Sequence, residues 1–128
     1  MYPQDYRYTN DHEWIHPEGD RARVGITEYA QKQLGDIVFV ETPKVGGALE
    51  RSKPYGVVES VKSVSDLYAP VSGTVVGVNE ALAGTPEIVN KDPYVEGWTV
   101  AVKLKDPGEI AALMTAAQYE AYLAEFSK

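Results

Sequence analysis

Two short stretches hold residue types whose spacing suits chemistry. "HEWIH" at 12–16 matches H-E-x-x-H, in which two histidines bind zinc and the glutamate is a general base. "GVVESVKSVSDLYAP" at 56–70 places Lys62 at the tip between two strand-like runs, where a tight hairpin normally has Asn-Gly, Asp-Gly or Gly-X.

The zinc reading requires a helix, on which residues four apart share a face and reach one ion. Pro17 disfavours helical backbone at His16, the turn residues "PEGD" follow at 17–20, and the chain has only 2 histidines. On a strand, at about 3.3 Å per residue, the two rings stand ~13 Å apart, too far for one metal. No metal site is expected. The chain also lacks G-x-S-x-G, a Walker-type phosphate loop and a dinucleotide fingerprint. With no cysteine, thiol catalysis, disulfides and Cys-based zinc sites are excluded, in keeping with a reducing compartment.

A lone exposed lysine is ordinarily a solvated charge. At this tip, however, glycine or asparagine would satisfy the backbone at lower cost, so lysine implies that the amine is used. Val61 and Val64 are expected to anchor the turn, leaving the amine among small or acidic neighbours. A Schiff-base lysine needs a depressed pKa, whereas Glu59 and Asp66 favour the charged form. Attachment of a cofactor by an external ligase is the better reading.

The elements that must hold this tip read as mainly β. "YTNDHEWIH" and "RARVGI" form a hairpin around the "PEGD" turn. Thr27 caps a short helix over "EYAQKQL", and Gly35 ends it. Strands are expected at Ile37–Glu41, Tyr55–Val61, Val64–Tyr68, Gly73–Val78 and Trp98–Leu104. An imperfect repeat at an offset of 38 matches Gly35 with Gly73, Val38 with Val76, Val40 with Val78 and Gly46 with Gly84. A looser match of 53–62 with 92–103 pairs Lys62 with Lys103. Together these suggest two similar units about a quasi-two-fold axis.

Two C-terminal helices follow. Asp106, Pro107 and Glu109 form one capping box, and Thr115 with Gln118 forms another. Their buried stripes are Ile110, Leu113, Met114 and Ala117, then Tyr119, Tyr122, Leu123 and Phe126. At 128 residues the chain is expected to form a single domain, 1–128. It has no run of the ~20 apolar residues that crosses a membrane and no export signal, so a cytoplasmic location is expected. A monomer is expected as well. A net charge of -7 argues against nucleic acid and anionic membranes as partners.

The stretch "VESVKSVSDLYAPVSGTVVGVN" (58–79) resembles the lipoyl-attachment segment of the glycine cleavage system H-protein family. The similarity extends through "HEW", "VGIT", "LGDIVFVETPKVG" and "VNKDPYVEGW" to the C-terminal helices. The resemblance implies a lipoyl-domain-like barrel-sandwich hybrid of two related sheets, with lipoic acid in amide linkage on Lys62. It implies that Glu59 and Gly73 serve recognition by a lipoate ligase or lipoyltransferase. Glu13 and Asp66 would line the cleft that receives the loaded arm, with Glu13 facing a cationic aminomethyl group. The implied role is a non-catalytic carrier serving glycine decarboxylase, aminomethyltransferase and dihydrolipoyl dehydrogenase. A biotin carrier would show Met on both sides of the lysine, and a 2-oxoacid dehydrogenase lipoyl domain would show Asp-Lys-Ala; Lys62 lies between Val61 and Ser63.

Overall fold

The computed structural model describes residues 2–126, and the side chain of Phe126, expected on a buried stripe, lies outside what is described. The order is β1 (Arg7–Tyr8), β2 (Glu13–Glu18), β3 (Arg21–Ile26), α1 (Glu28–Leu34), β4 (Ile37–Glu41), β5 (Ala48–Leu49), β6 (Pro54–Ser60) and β7 (Val64–Tyr68). There follow β8 (Gly73–Val78), α2 (Ala81–Gly84), α3 (Ile88–Lys91), β9 (Val100–Leu104), α4 (Gly108–Ala111) and α5 (Ala116–Phe126). A six-stranded sheet, β1-β2-β3-β9-β8-β5, packs against a three-stranded sheet, β4-β6-β7. This is the expected barrel-sandwich hybrid.

The repeat is real and its register is sharper than the letters suggest. β6 lies between β4 and β7 as β9 lies between β8 and β3, giving two equivalent three-stranded units. The β4–β6 ladder shifts register between Ile37 and Phe39, and the β8–β9 ladder shifts between Val75 and Gly77. These bulges fall at the same place in the offset of 38. The pairings Ile37↔Ser60 and Val75↔Val102 then make Ser60 equivalent to Val102. Lys62 therefore corresponds to Leu104, and Lys103 to Val61, which corrects the expected Lys62–Lys103 match by one residue.

Side-chain alternation explains the two layers. Val40, Val58 and Leu67 point into a core shared with Ile26, Ile37, Leu82 and Val89. Ile15, Val24, Val71, Val75, Val100 and Val102 fill the other half, and Tyr55 touches both. Trp14 faces the opposite side of β2 and joins Tyr6, Tyr8 and Tyr119 beneath α5. Gly25, its partner in the ladder, leaves room for the indole, since a Cβ there would lie 2.5 Å from the ring.

Several expected boundaries move. α2 and α3 have no apolar period to announce them; each is a single turn held by local bonds and pinned by Leu82 or Val89. β1 and β5, each two residues long, are too short for alternation to register. The Thr115–Gln118 box forms reciprocally, at 2.9 and 3.2 Å. The other does not: Glu109 instead accepts a 2.8 Å bond from the Ser72 amide, tying α4 to the loop before β8, while Asp106 receives Gly108 N–H. In α5 the buried alanine is Ala116 and Ala117 is exposed.

Candidate functional site

Lys62 is exposed at the β6–β7 tip, but Val61 and Val64 do not anchor it: they are 69 % and 67 % exposed. Ser60 does that work instead. Its amide donates to the Ser63 carbonyl at 2.8 Å, and its Oγ accepts from Ser63 and Lys62 amides at 3.1 and 3.3 Å. A side-chain acceptor thus substitutes for the glycine that such a turn usually needs. Val61 N–H then donates to the Asp36 carbonyl at 3.0 Å, pinning the tip to the segment between α1 and β4.

That segment is a platform built on Gly35 and Asn90. Thr27 caps α1 through Ala30 N–H, a bond worth about 1 kcal/mol, and Gly35 ends the helix at φ 84, ψ -155, a region essentially closed to other residues. A Cβ on Gly35 would lie 3.4 Å from Lys62 Cε, so the lysine stem rests beside bare backbone. Asn90 fastens the platform: it accepts from Ile37 N–H at 2.9 Å and donates to Gly35 O at 2.9 Å and Gln31 Oε1 at 2.8 Å. Asn90→Ala should cost about 2–3 kcal/mol, because it strands interior polar groups. Urea unfolding measures the loss, and hydrogen exchange at the Val61 amide should quicken as Asp36 loosens.

The other expected residues distribute as follows. Glu59 is half-exposed on the outward face of the three-stranded sheet, opposite Phe39 and Val64. Asp66 is exposed on that face opposite Val57. Neither makes an ion pair with Lys62. Gly73 belongs to the other sheet, between Leu49 and Leu104, and a Cβ there would come within 2.2 Å of Lys103 O. Crowded backbone alone requires glycine at 73.

Glu13 is the unusual group. It is 2 % exposed, on the core-facing side of β2 with Ile15, and its Oε2 accepts from Tyr68 N–H at 2.6 Å. It thereby bridges the two sheets two residues beyond Asp66. Oε1 is buried with no hydrogen-bond partner among the described residues. Burial pushes its pKa well above the ordinary carboxylate value, partly opposed by the Tyr68 amide. A second polar tie runs beside it, from Tyr55 OH to Thr99 Oγ1 at 2.8 Å, and burial followed by the Glu13 charge raises the Tyr55 pKa.

"HEWIH" is thus a strand motif, as expected from Pro17. His12 precedes β2 at φ 66, with Nδ1 2.9 Å from Tyr119 OH, which also meets Thr27 Oγ1 at 2.8 Å. Burial lowers the His12 pKa, against the opposing charge of Asp11. His16 stacks on Tyr6 with ring centroids 4.4 Å apart. The two rings serve separate structural contacts.

An amide-linked lipoyl group needs an accessible primary amine on a rigid support. Lys62 meets that need, and the orphaned Glu13 oxygen is a ready acceptor for a cationic amine or an N–H donor.

A sequence profile described as Glycine cleavage H-protein matches residues 6–126. The glycine cleavage system H protein of Geobacillus kaustophilus (strain HTA426) is 57% identical over 123 residues, 96% of this chain and 97% of that protein. That of Bacillus subtilis (strain 168) is 56% identical over 118 residues, 92% of this chain and 93% of that one. The crystal structure of a glycine cleavage system H protein from Mycobacterium marinum superposes with a TM-score of 0.88 at 42% identity, covering 96% of this chain and 99% of that one. With a pinned, exposed lysine on a barrel-sandwich scaffold and similarity along nearly its whole length, the chain belongs to the glycine cleavage H-protein family.

Proposed function

We propose that this protein is the lipoyl carrier of a glycine cleavage system, loaded at Lys62 and shuttling the aminomethyl unit of glycine. The observation that carries this reading is the tip itself: an exposed lysine whose turn is fixed by Ser60 and Asp36 rather than by its own conformational freedom. A bound lipoyl group supplies the dithiolane's covalent and redox chemistry. The chain supplies position, since a tether raises effective concentration at each successive active site.

Glycine decarboxylase, the aminomethyltransferase and dihydrolipoyl dehydrogenase are the partners served in turn, after a lipoate ligase or lipoyltransferase has acylated the amine. Glu59 lies one row from the tip, where such an enzyme can reach it. Gly73 acts at a distance, by keeping β8 against Lys103 O. Glu13 and Asp66 receive the loaded arm, with buried Oε1 of Glu13 as acceptor. The role is non-catalytic, within one domain, and is placed in the cytoplasm as a monomer. No helix among the described residues is long and apolar enough to cross a membrane.

Intact mass and peptide mapping test the reading. Protein made with lipoate and its ligase should gain one lipoyl mass, mapped to Lys62. No gain, or a gain at another lysine, overturns it.

A further inference from the structure

We propose that the outward face of β4, β6 and β7 is the docking surface for the enzyme that acylates Lys62, and that it fits an apolar socket rimmed by arginine or lysine. This rests on the lipoyl-carrier reading and adds the surface by which the enzyme recognises the protein.

Ladder register fixes the composition of this face. Phe39, Glu59 and Val64 stand directly opposite one another across the three strands. The next row is Glu41, Val57 and Asp66. Each row therefore mixes apolar side chains with carboxylates. Phe39 is 46 % exposed and Val64 67 % exposed, although neighbouring Val40 and Val58 are buried on the inner side. Large apolar side chains grouped on one face mark an interaction surface, whereas single exposed ones do not. Val45 and Val95, the other exposed valines outside this region, sit separately in loops.

The charge identifies the partner. Glu41, Glu59 and Asp66 make no ion pair among the described residues. The face is acidic in a chain of net charge -7, so a basic rim on the partner gains both steering and register. Lys62 is the cation at its end, and acylation removes that charge, leaving a more acidic product surface.

Position identifies the enzyme. The rows begin one residue from the Val61–Lys62–Ser63 tip, and β7 leads straight out of it. Three strands about 4.8 Å apart and five residues at about 3.3 Å give a patch ~10 Å by ~16 Å, smaller than the ~800 Å² per side of a stable complex. It is therefore the centre of a contact whose rim includes Val38, Val61 and Asp36, all exposed. An enzyme covering that area lies against the tip that carries Lys62.

Steady-state lipoylation by a lipoate ligase, with lipoate and ATP saturating and the unmodified protein varied, tests the surface. Glu59, Asp66 and Lys62 are left intact. Phe39→Ser/Val64→Ser should raise KM for the protein about tenfold, equivalent to ~1.4 kcal/mol of binding, with kcat within about twofold. Glu41→Gln should raise KM about threefold at low salt and flatten its salt dependence. Val45→Ser should change neither constant. Unchanged KM in the double variant, or a fall in kcat alone, overturns the docking surface while lipoylation of the parent upholds the carrier reading. A parent protein that takes up no lipoyl group overturns both. Thermal unfolding of each variant checks folding; if the double variant does not fold, Val64→Ser and the salt dependence of Glu41→Gln decide.

Discussion

A Lys62→Arg protein should fold like its parent and take up no lipoyl group at all. The guanidinium stays protonated at any working pH, so it offers no nucleophilic nitrogen for acylation. Folding is spared because the tip is held by Ser60 and Asp36 through backbone amides of Lys62, Val61 and Ser63, all of which arginine at 62 retains. The Lys62 side chain itself is exposed. Intact mass should show the unmodified chain, and the thermal midpoint should stay within a few degrees of the parent. Because charge and outward face are preserved, the variant should also compete with the parent for the ligase. A variant lipoylated to the same extent would place the attachment elsewhere.

Glu13→Gln should have the largest effect on the pH dependence of stability. The Glu13 pKa is raised in the folded protein, chiefly by burial. Below its unfolded value of about 4.3 both states carry the proton and its contribution to stability is complete. As pH rises past that value the unfolded chain ionises while the folded one keeps its proton. Stability then falls by about 1.4 kcal/mol for each unit separating the two pKa values, until the folded pKa is passed. Glutamine cannot ionise and keeps an oxygen for Tyr68 N–H. Parent and variant should therefore differ little near pH 4, and the variant should gain relative stability toward pH 8, as read by urea unfolding across that range. Parallel pH profiles would mean that Glu13 is ionised in both states. In the carrier cycle the same substitution should leave lipoylation intact and shorten the lifetime of the aminomethyl-loaded arm, because an arriving cation draws the buried acid toward its ionised form, which glutamine cannot adopt.

These two residues mark the limits of what the amino-acid sequence discloses. Lys62 was legible because it breaks a local rule: lysine is a poor turn residue, and the flanking β-type runs fix its place. β4, β7 and β8 have their expected bounds for the same local reason. The limits of β6 and β9 moved because Val61 N–H turns aside to Asp36 O and Thr99 N–H to Val24 O, bonds that local alternation does not reveal. Asn90 reaches Ile37, Gly35 and Gln31 across more than 50 positions of chain, and nothing in "EIVNKDP" marks it. Glu13 could be assigned to a charged cleft, but its near-complete burial depends on a meeting with Tyr68, 55 residues away. Ser60 was the accessible omission: serine as a local backbone acceptor is a recognised turn device.

The matched bulges at Val38 and Val76 give the two units one shape. A bulge bends its strand and steepens its twist, and here the same bend occurs in both units. That is the geometry of a symmetric dimer, in which both partners bend alike, held here within one chain. The two ends of the paired units nevertheless differ. One terminates in a closed hairpin that presents Lys62. At the other, Leu104, only 8% exposed, is enclosed where β3 takes the place of a returning strand. Pseudo-symmetry shapes the scaffold, and its break at a single end leaves the chain with one exposed lysine tip where the matching end is closed.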